Sequence, residues 1–117
     1  MRYLLLLLLL LFLAGCATSD RRYFTFDLPD TGSMEPTFSG GDLMFLDTNF
    51  PYEDLKLDDV VAYYDKRYNM SRGVIHRIIG KAPNNQWIMK GDNNVTKDKY
   101  FLRKDTYTGK LTRVDFK

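Results

Sequence analysis

Hydrophobic and polar positions divide this chain into one long apolar run and a series of short ones. The long run, Tyr3 to Ala14, contains eight leucines in succession. Beyond it the apolar positions come in groups of four to seven, each bounded by turn residues. Tyr23-Phe24-Thr25-Phe26 predicts a first strand near 23–27, closed by the turn signal Pro29-Asp30. Asp42 to Thr48 predicts a mostly buried strand, and Asn49 to Leu57, with Pro51, a connector. Val60 to Tyr64 and Gly73 to Ile79 are β-branched and aromatic, so both predict strands. Gln86 to Lys90 predicts another, and Lys110 to Phe116 a last one, with Leu111, Arg113 and Asp115 alternating against Thr112, Val114 and Phe116. Pro83-Asn84-Asn85, Gly91-Asp92-Asn93-Asn94 and Thr108-Gly109 carry turn chemistry. No segment sustains a helical period. Short strands at close spacing predict a mostly β, partly barrel-like single domain over residues 23–117.

The start of the chain changes the picture of where such a domain sits. Met1 and Arg2 precede the apolar run, and Leu13-Ala14-Gly15-Cys16 follows it. A charged start, an apolar stretch and small residues at the end form the layout of an export signal. The last four residues resemble a bacterial lipoprotein signal. That resemblance implies residues 1–15 as a signal peptide, cleavage before Cys16, acyl chains on Cys16, and a tether over 16–22. It implies membrane attachment through a lipid anchor in a bacterial cell envelope, facing the periplasm or exterior. The alternative is an uncleaved anchor, but the run is shorter than the roughly 20 residues of a spanning helix. Cys16 is the only cysteine, so no intrachain disulfide forms.

Seventeen Lys and Arg face fifteen Asp and Glu. The balance is close to neutral and no basic run stands out, which argues against a nucleic-acid partner.

The candidate chemistry lies in three blocks. Thr31-Gly32-Ser33-Met34-Glu35-Pro36 places a serine in a turn with apolar anchors at Met34 and Phe38. A serine hydroxyl is a weak nucleophile until a base lies within hydrogen-bond reach. The only histidine, His76, sits in Gly73-Val74-Ile75-His76-Arg77-Ile78-Ile79, with Val74 and Ile78 on its own strand face. Imidazole titrates near neutrality and serves as a base without the burial that a lysine would need. Asp92, in Lys90-Gly91-Asp92-Asn93-Asn94, and Asp98 compete for the carboxylate that orients the imidazole. Spacing alone leaves that choice open. With one histidine and no cysteine in the body, a metal site is not expected.

Taken in order, these blocks resemble the signal peptidase I family, and most closely its histidine-using branch from archaea and the endoplasmic reticulum. Gly32-Ser33-Met34-Glu35-Pro36 with Gly41-Asp42, His76-Arg77-Ile78-Ile79, and Lys90-Gly91-Asp92-Asn93-Asn94 with Asp98 carry the match, and Gly109-Lys110-Leu111 is similar to the family's closing strand. The resemblance implies a long curled β-sheet and a serine endopeptidase that cleaves exported preproteins after small residues, without metal or cofactor. It implies Ser33 as nucleophile, His76 where the bacterial branch has a lysine, Asp98 as the third catalytic residue and Asp92 as a supporting acid. The Thr31 hydroxyl and the Ser33 backbone N–H would form the oxyanion hole. One departure is Asp58-Asp59, where the family usually has Gly-Asp. The serine block is also similar to the LexA-type self-cleaving repressors, which use a lysine base. The remaining alternative is a non-catalytic envelope lipoprotein that keeps the peptidase fold.

Overall fold

The computed structural model describes residues 23–68 and 73–117. The apolar leader, Cys16 and the tether over 16–22 lie outside the described residues. The described residues form six strands: β1 (Tyr23–Asp27), β2 (Leu43–Asp47), β3 (Val60–Tyr63), β4 (Val74–Ala82), β5 (Gln86–Lys90) and β6 (Tyr107–Asp115). Two short 3-10 turns, Tyr52–Asp54 and Lys66–Tyr68, lie on the connections before and after β3. All strands join one antiparallel sheet in the order β1-β2-β6-β3-β4-β5. The architecture is the mostly β, curled sheet expected from the sequence.

Side-chain alternation builds a core on each face of the sheet. Val61, Tyr63, Ile78, Trp87 and Met89 pack on one side with Tyr52, Leu55 and Leu102. Val60, Ala62, Ile75, Met44 and Leu46 pack on the other with Leu28 and Met34. Three register shifts, at Phe45/Leu46, Ala62/Tyr63 and Ile78/Gly80, interrupt the ladders. Such bulges bend a strand and increase its twist, and here they accompany the curl of the sheet.

The two largest departures from the sequence expectation are in β4 and β6. β4 continues through Gly80 to Ala82, because its pairing with β5 resumes beyond the bulge. Thr108-Gly109, expected as a turn, lies inside β6. Gly109 is there for space: a Cβ on it would stand 3.0 Å from the Asp47 carbonyl oxygen, where the end of β2 crosses close by. Asp58, at the position where a glycine was the expected pattern, adopts φ +73°, the left-handed region a glycine would favour. Its backbone bonds Ile78 on β4. The turn therefore keeps the conformation of the glycine without the glycine.

Candidate active site

Three segments converge at the end of β5: the loop after β1, the middle of β4, and the turn of residues 91–98. The loop after β1 is tied back to β2 by bonds from Leu28 N–H to the Asp42 carbonyl and from Gly41 N–H to the Leu28 carbonyl. Within it Gly32 takes φ +73° and Ser33 follows directly. Met34 is 1% exposed and anchors the loop in the core. Burying a methionine side chain contributes about 1.5–3 kcal/mol, which offsets part of the entropy lost in ordering the turn. The Thr31 hydroxyl donates to Ser33 Oγ at 3.2 Å, and the Ser33 N–H donates to Thr31 Oγ1 at 3.4 Å. The two expected oxyanion donors thus bond within the same small turn.

His76 lies on β4 opposite Val61 of β3 and is buried. Its Nδ1 stands 2.7 Å from Asp98 Oδ2 and 2.9 Å from Oδ1. The Asp98 N–H donates to the Met89 carbonyl, which fixes the carboxylate beside the end of β5. Tyr63, on β3, donates its hydroxyl to the same Oδ2. An ionised carboxylate only accepts, so this bond places the proton on Nδ1 and leaves Nε2 as an acceptor. Nε2 points toward Gly91. A Cβ on Gly91 would stand 3.0 Å from Nε2 and 2.7 Å from the Ser33 carbonyl oxygen, so the Ser33 backbone and the imidazole both come close to the bare glycine.

Asp92 takes a different place. Arg77 grips it with two bonds, Nε to Oδ1 at 2.9 Å and Nη2 to Oδ2 at 2.8 Å, and Thr37 donates its hydroxyl to Oδ2 at 2.7 Å. The Arg77 guanidinium, then the Thr37 hydroxyl, hold the Asp92 carboxyl below the usual range against the opposing effect of burial. Arg77 also donates to the Asp58 carbonyl at 2.8 Å. Next to Asp92, the Asn93 N–H bonds the Ser33 carbonyl at 2.9 Å and its side-chain amide bonds the Gly32 carbonyl at 3.0 Å. The Asp92 N–H points at the Met34 sulfur at 3.4 Å. The turn at 91–94 therefore clamps the serine loop onto the histidine strand. Of the two carboxylates, Asp98 touches His76, and Asp92 bonds Arg77 and Thr37 instead.

Thr37, Tyr63, Gly91 and Asn93 also build this site, none of them picked out from the sequence as a site residue. Tyr63 carried a signal in principle, since a tyrosine in a buried strand needs a partner for its hydroxyl. Arg77 carried one too, as a charge within an apolar strand. Among the described residues no group of three or more His, Cys, Asp or Glu side chains could hold a metal ion.

No family model matches the chain. Among curated proteins, it is 38% identical over 71 residues to a signal peptidase complex catalytic subunit sec11 of Sclerotinia sclerotiorum, covering 58% of this chain and 40% of that protein. The counterpart in Neurospora crassa matches with the same identity and coverage. The SEC11 subunit of Scheffersomyces stipitis is 31% identical over 86 residues, covering 70% of this chain and 49% of that protein. The chain thus spans less than half the length of these relatives. They are fungal, and this overturns the bacterial cell-envelope location expected from the leader: the chain's relatives are subunits of a eukaryotic complex. The leader motif reported an apolar segment ending in small residues, a chemistry that does not identify the organism.

Proposed function

From the premise that this chain is related to the signal peptidase I family, we propose that it is a serine endopeptidase that cleaves preproteins after small residues, using Ser33 as nucleophile and His76 as general base. The observation that carries this reading is the His76–Asp98 pair, with Nε2 left free toward the clamped Ser33 loop. Ser33 Oγ attacks the scissile carbonyl as its proton passes to His76 Nε2. Asp98 stabilises the imidazolium and keeps the Nδ1 tautomer. Collapse of the tetrahedral intermediate breaks the C–N bond, and His76 returns the proton to the leaving amine. Water, deprotonated by His76, then releases the acyl group and restores the serine. Thr31 Oγ1–H and Ser33 N–H turn from each other to the developing oxyanion, where donors are worth most. Asp92 acts at one remove, keeping the serine loop in place through Arg77 and Thr37.

The Ser33 hydroxyl is bonded to Thr31. Substrate entry must therefore rotate it toward Nε2, a closing step common at catalytic hydrogen bonds. We infer also that the leader attaches the enzyme to a membrane, with a lipid on Cys16. The sequence of residues 1–16 supports this, and an intact Met1 in the mass spectrum of the N-terminal peptide would sink the lipid on Cys16. For the peptidase reading, the purified chain with lipid is given a preprotein carrying an Ala-X-Ala site, across about pH 6–9 where imidazole changes charge. The expected result is a single cut after the last alanine. Absence of cleavage throughout that range contradicts the proposal.

A further inference from the structure

A tyrosine hydroxyl inside the core reaches the carboxylate that orients the base. Tyr63 is 1% exposed and packs with Val61, Ile78 and Met89. On β3 it stands two residues from Val61, the cross-strand neighbour of His76, so its ring shares the face of the imidazole. Its hydroxyl donates to Asp98 Oδ2, the oxygen that also lies 2.7 Å from His76 Nδ1. Two donors from two strands therefore meet on one oxygen. Burial, then the bond to Asp98, pushes the Tyr63 phenol well above its usual range, so it stays protonated and only its proton can face the carboxylate.

We infer that Tyr63 is a positioning residue for catalysis: its hydroxyl holds Asp98 in the orientation that grips His76 and tempers how strongly that carboxylate stabilises the imidazolium. The inference rests on the reading of Ser33, His76 and Asp98 as a peptidase triad. A carboxylate that shares its charge with a second donor is a weaker acceptor for the first. Removing the hydroxyl should do two things at once. Asp98 gains freedom to rotate, which lowers turnover. It also becomes a stronger partner for the protonated imidazole, which moves the histidine titration to higher pH. A residue that merely fills the core would do neither.

The groups around His76 bear on this reading. Asp98 approaches from the turn after β5 and Tyr63 from β3, with Tyr68 behind it. Lys90, Arg77 and Asp92 lie on β5, β4 and the 91–94 turn; Arg77 and Asp92 are bonded to each other. Tyr63→Phe leaves these other charges unchanged and preserves the ring.

His76 is the only histidine, so imidazole nitrogen NMR reports its titration without assignment. The experiment compares wild type, Tyr63→Phe and Tyr52→Phe by this titration and by peptide cleavage. Tyr52 is the control, because its buried hydroxyl bonds the Asn85 and Leu102 carbonyls rather than the site. In Tyr63→Phe the titration should rise by about 0.5–1 pH unit and kcat should fall about 3- to 30-fold with KM held. The acid limb of the rate profile should move with the titration, and Tyr52→Phe should show none of this. An unmoved titration in folded Tyr63→Phe overturns the inference. If Tyr63→Phe does not fold, a ring-fluorinated tyrosine placed at 63 is a stronger donor and should move the titration down; no movement overturns the inference equally. Cleavage by wild type that survives Ser33→Ala would instead defeat the triad reading beneath it, a result separable from failure at Tyr63.

Discussion

Gly91→Ala adds one methyl group at the point where the serine loop and the imidazole meet. The new Cβ would stand 2.6 Å from Asn94 Nδ2, 2.7 Å from the Ser33 carbonyl oxygen and 3.0 Å from His76 Nε2. The Asn94 amide can swing away. The Ser33 carbonyl cannot, because it is backbone and already accepts from the Asn93 N–H. Ordinary carbon–oxygen contact needs roughly 0.5 Å more than is available. The loop, the 91–94 turn or the imidazole must yield by that amount. Overpacking of this kind costs about 1–3 kcal/mol of stability. A displacement approaching 1 Å between reacting groups costs on the order of 100-fold in rate. We expect kcat/KM to fall about 10- to 100-fold or more, mainly through kcat, in a protein that still unfolds cooperatively. A preprotein cleavage time course beside a urea melt measures both. Full activity in Gly91→Ala would refute the reasoning, since the bare glycine would then not be what allows the Ser33 backbone and the imidazole to approach so closely.

Other perturbations separate the two aspartates and test the turn before β3. Asp98→Asn should lower kcat by about 10⁴-fold, by leaving the imidazole without a carboxylate to fix its tautomer, as single-turnover cleavage can measure. Asp92→Asn should act first on stability, costing about 1.5–3 kcal/mol at neutral pH through the lost charged bonds to Arg77 and Thr37. Because the folded Asp92 carboxyl lies below its reference value of 3.8, that contribution is complete above this value and lost as pH falls through the folded one. Urea melts of wild type and Asp92→Asn should therefore converge in acid; a gap of constant size would contradict the pairing. Asp58→Gly should raise stability by up to about 1 kcal/mol, since it relieves a left-handed φ while keeping the backbone carbonyl that Arg77 uses, and thermal melts should show a higher midpoint.

The strands were legible because their apolar groups are short and bounded by turn residues, and β1 and β5 coincide with the predicted ranges. Boundaries failed where space rather than pattern decides. Thr108-Gly109 carries turn chemistry, yet Gly109 serves the close passage of β2. Ser33 and His76 stood out as chemistry in unusual local settings, and the structure brings both to one side of Gly91. Spacing alone did not separate Asp92 from Asp98, because the choice depends on how the turn after β5 folds back over β4 and the serine loop; only the family resemblance pointed to Asp98. Tyr63 reads in sequence as another apolar strand position; only the β3–β4 register puts its hydroxyl beside the carboxylate. The leader showed its physical character but not the organism, and the fungal relatives corrected the location drawn from it.

The measurement that tests the central claim most directly is single-turnover cleavage of an Ala-X-Ala preprotein by wild type, Ser33→Ala and His76→Ala, with folding of each checked by melting. The account predicts cleavage by wild type and losses of at least about 10³-fold in both variants, each still folded. Cleavage by folded Ser33→Ala or His76→Ala at a rate near that of wild type would contradict it.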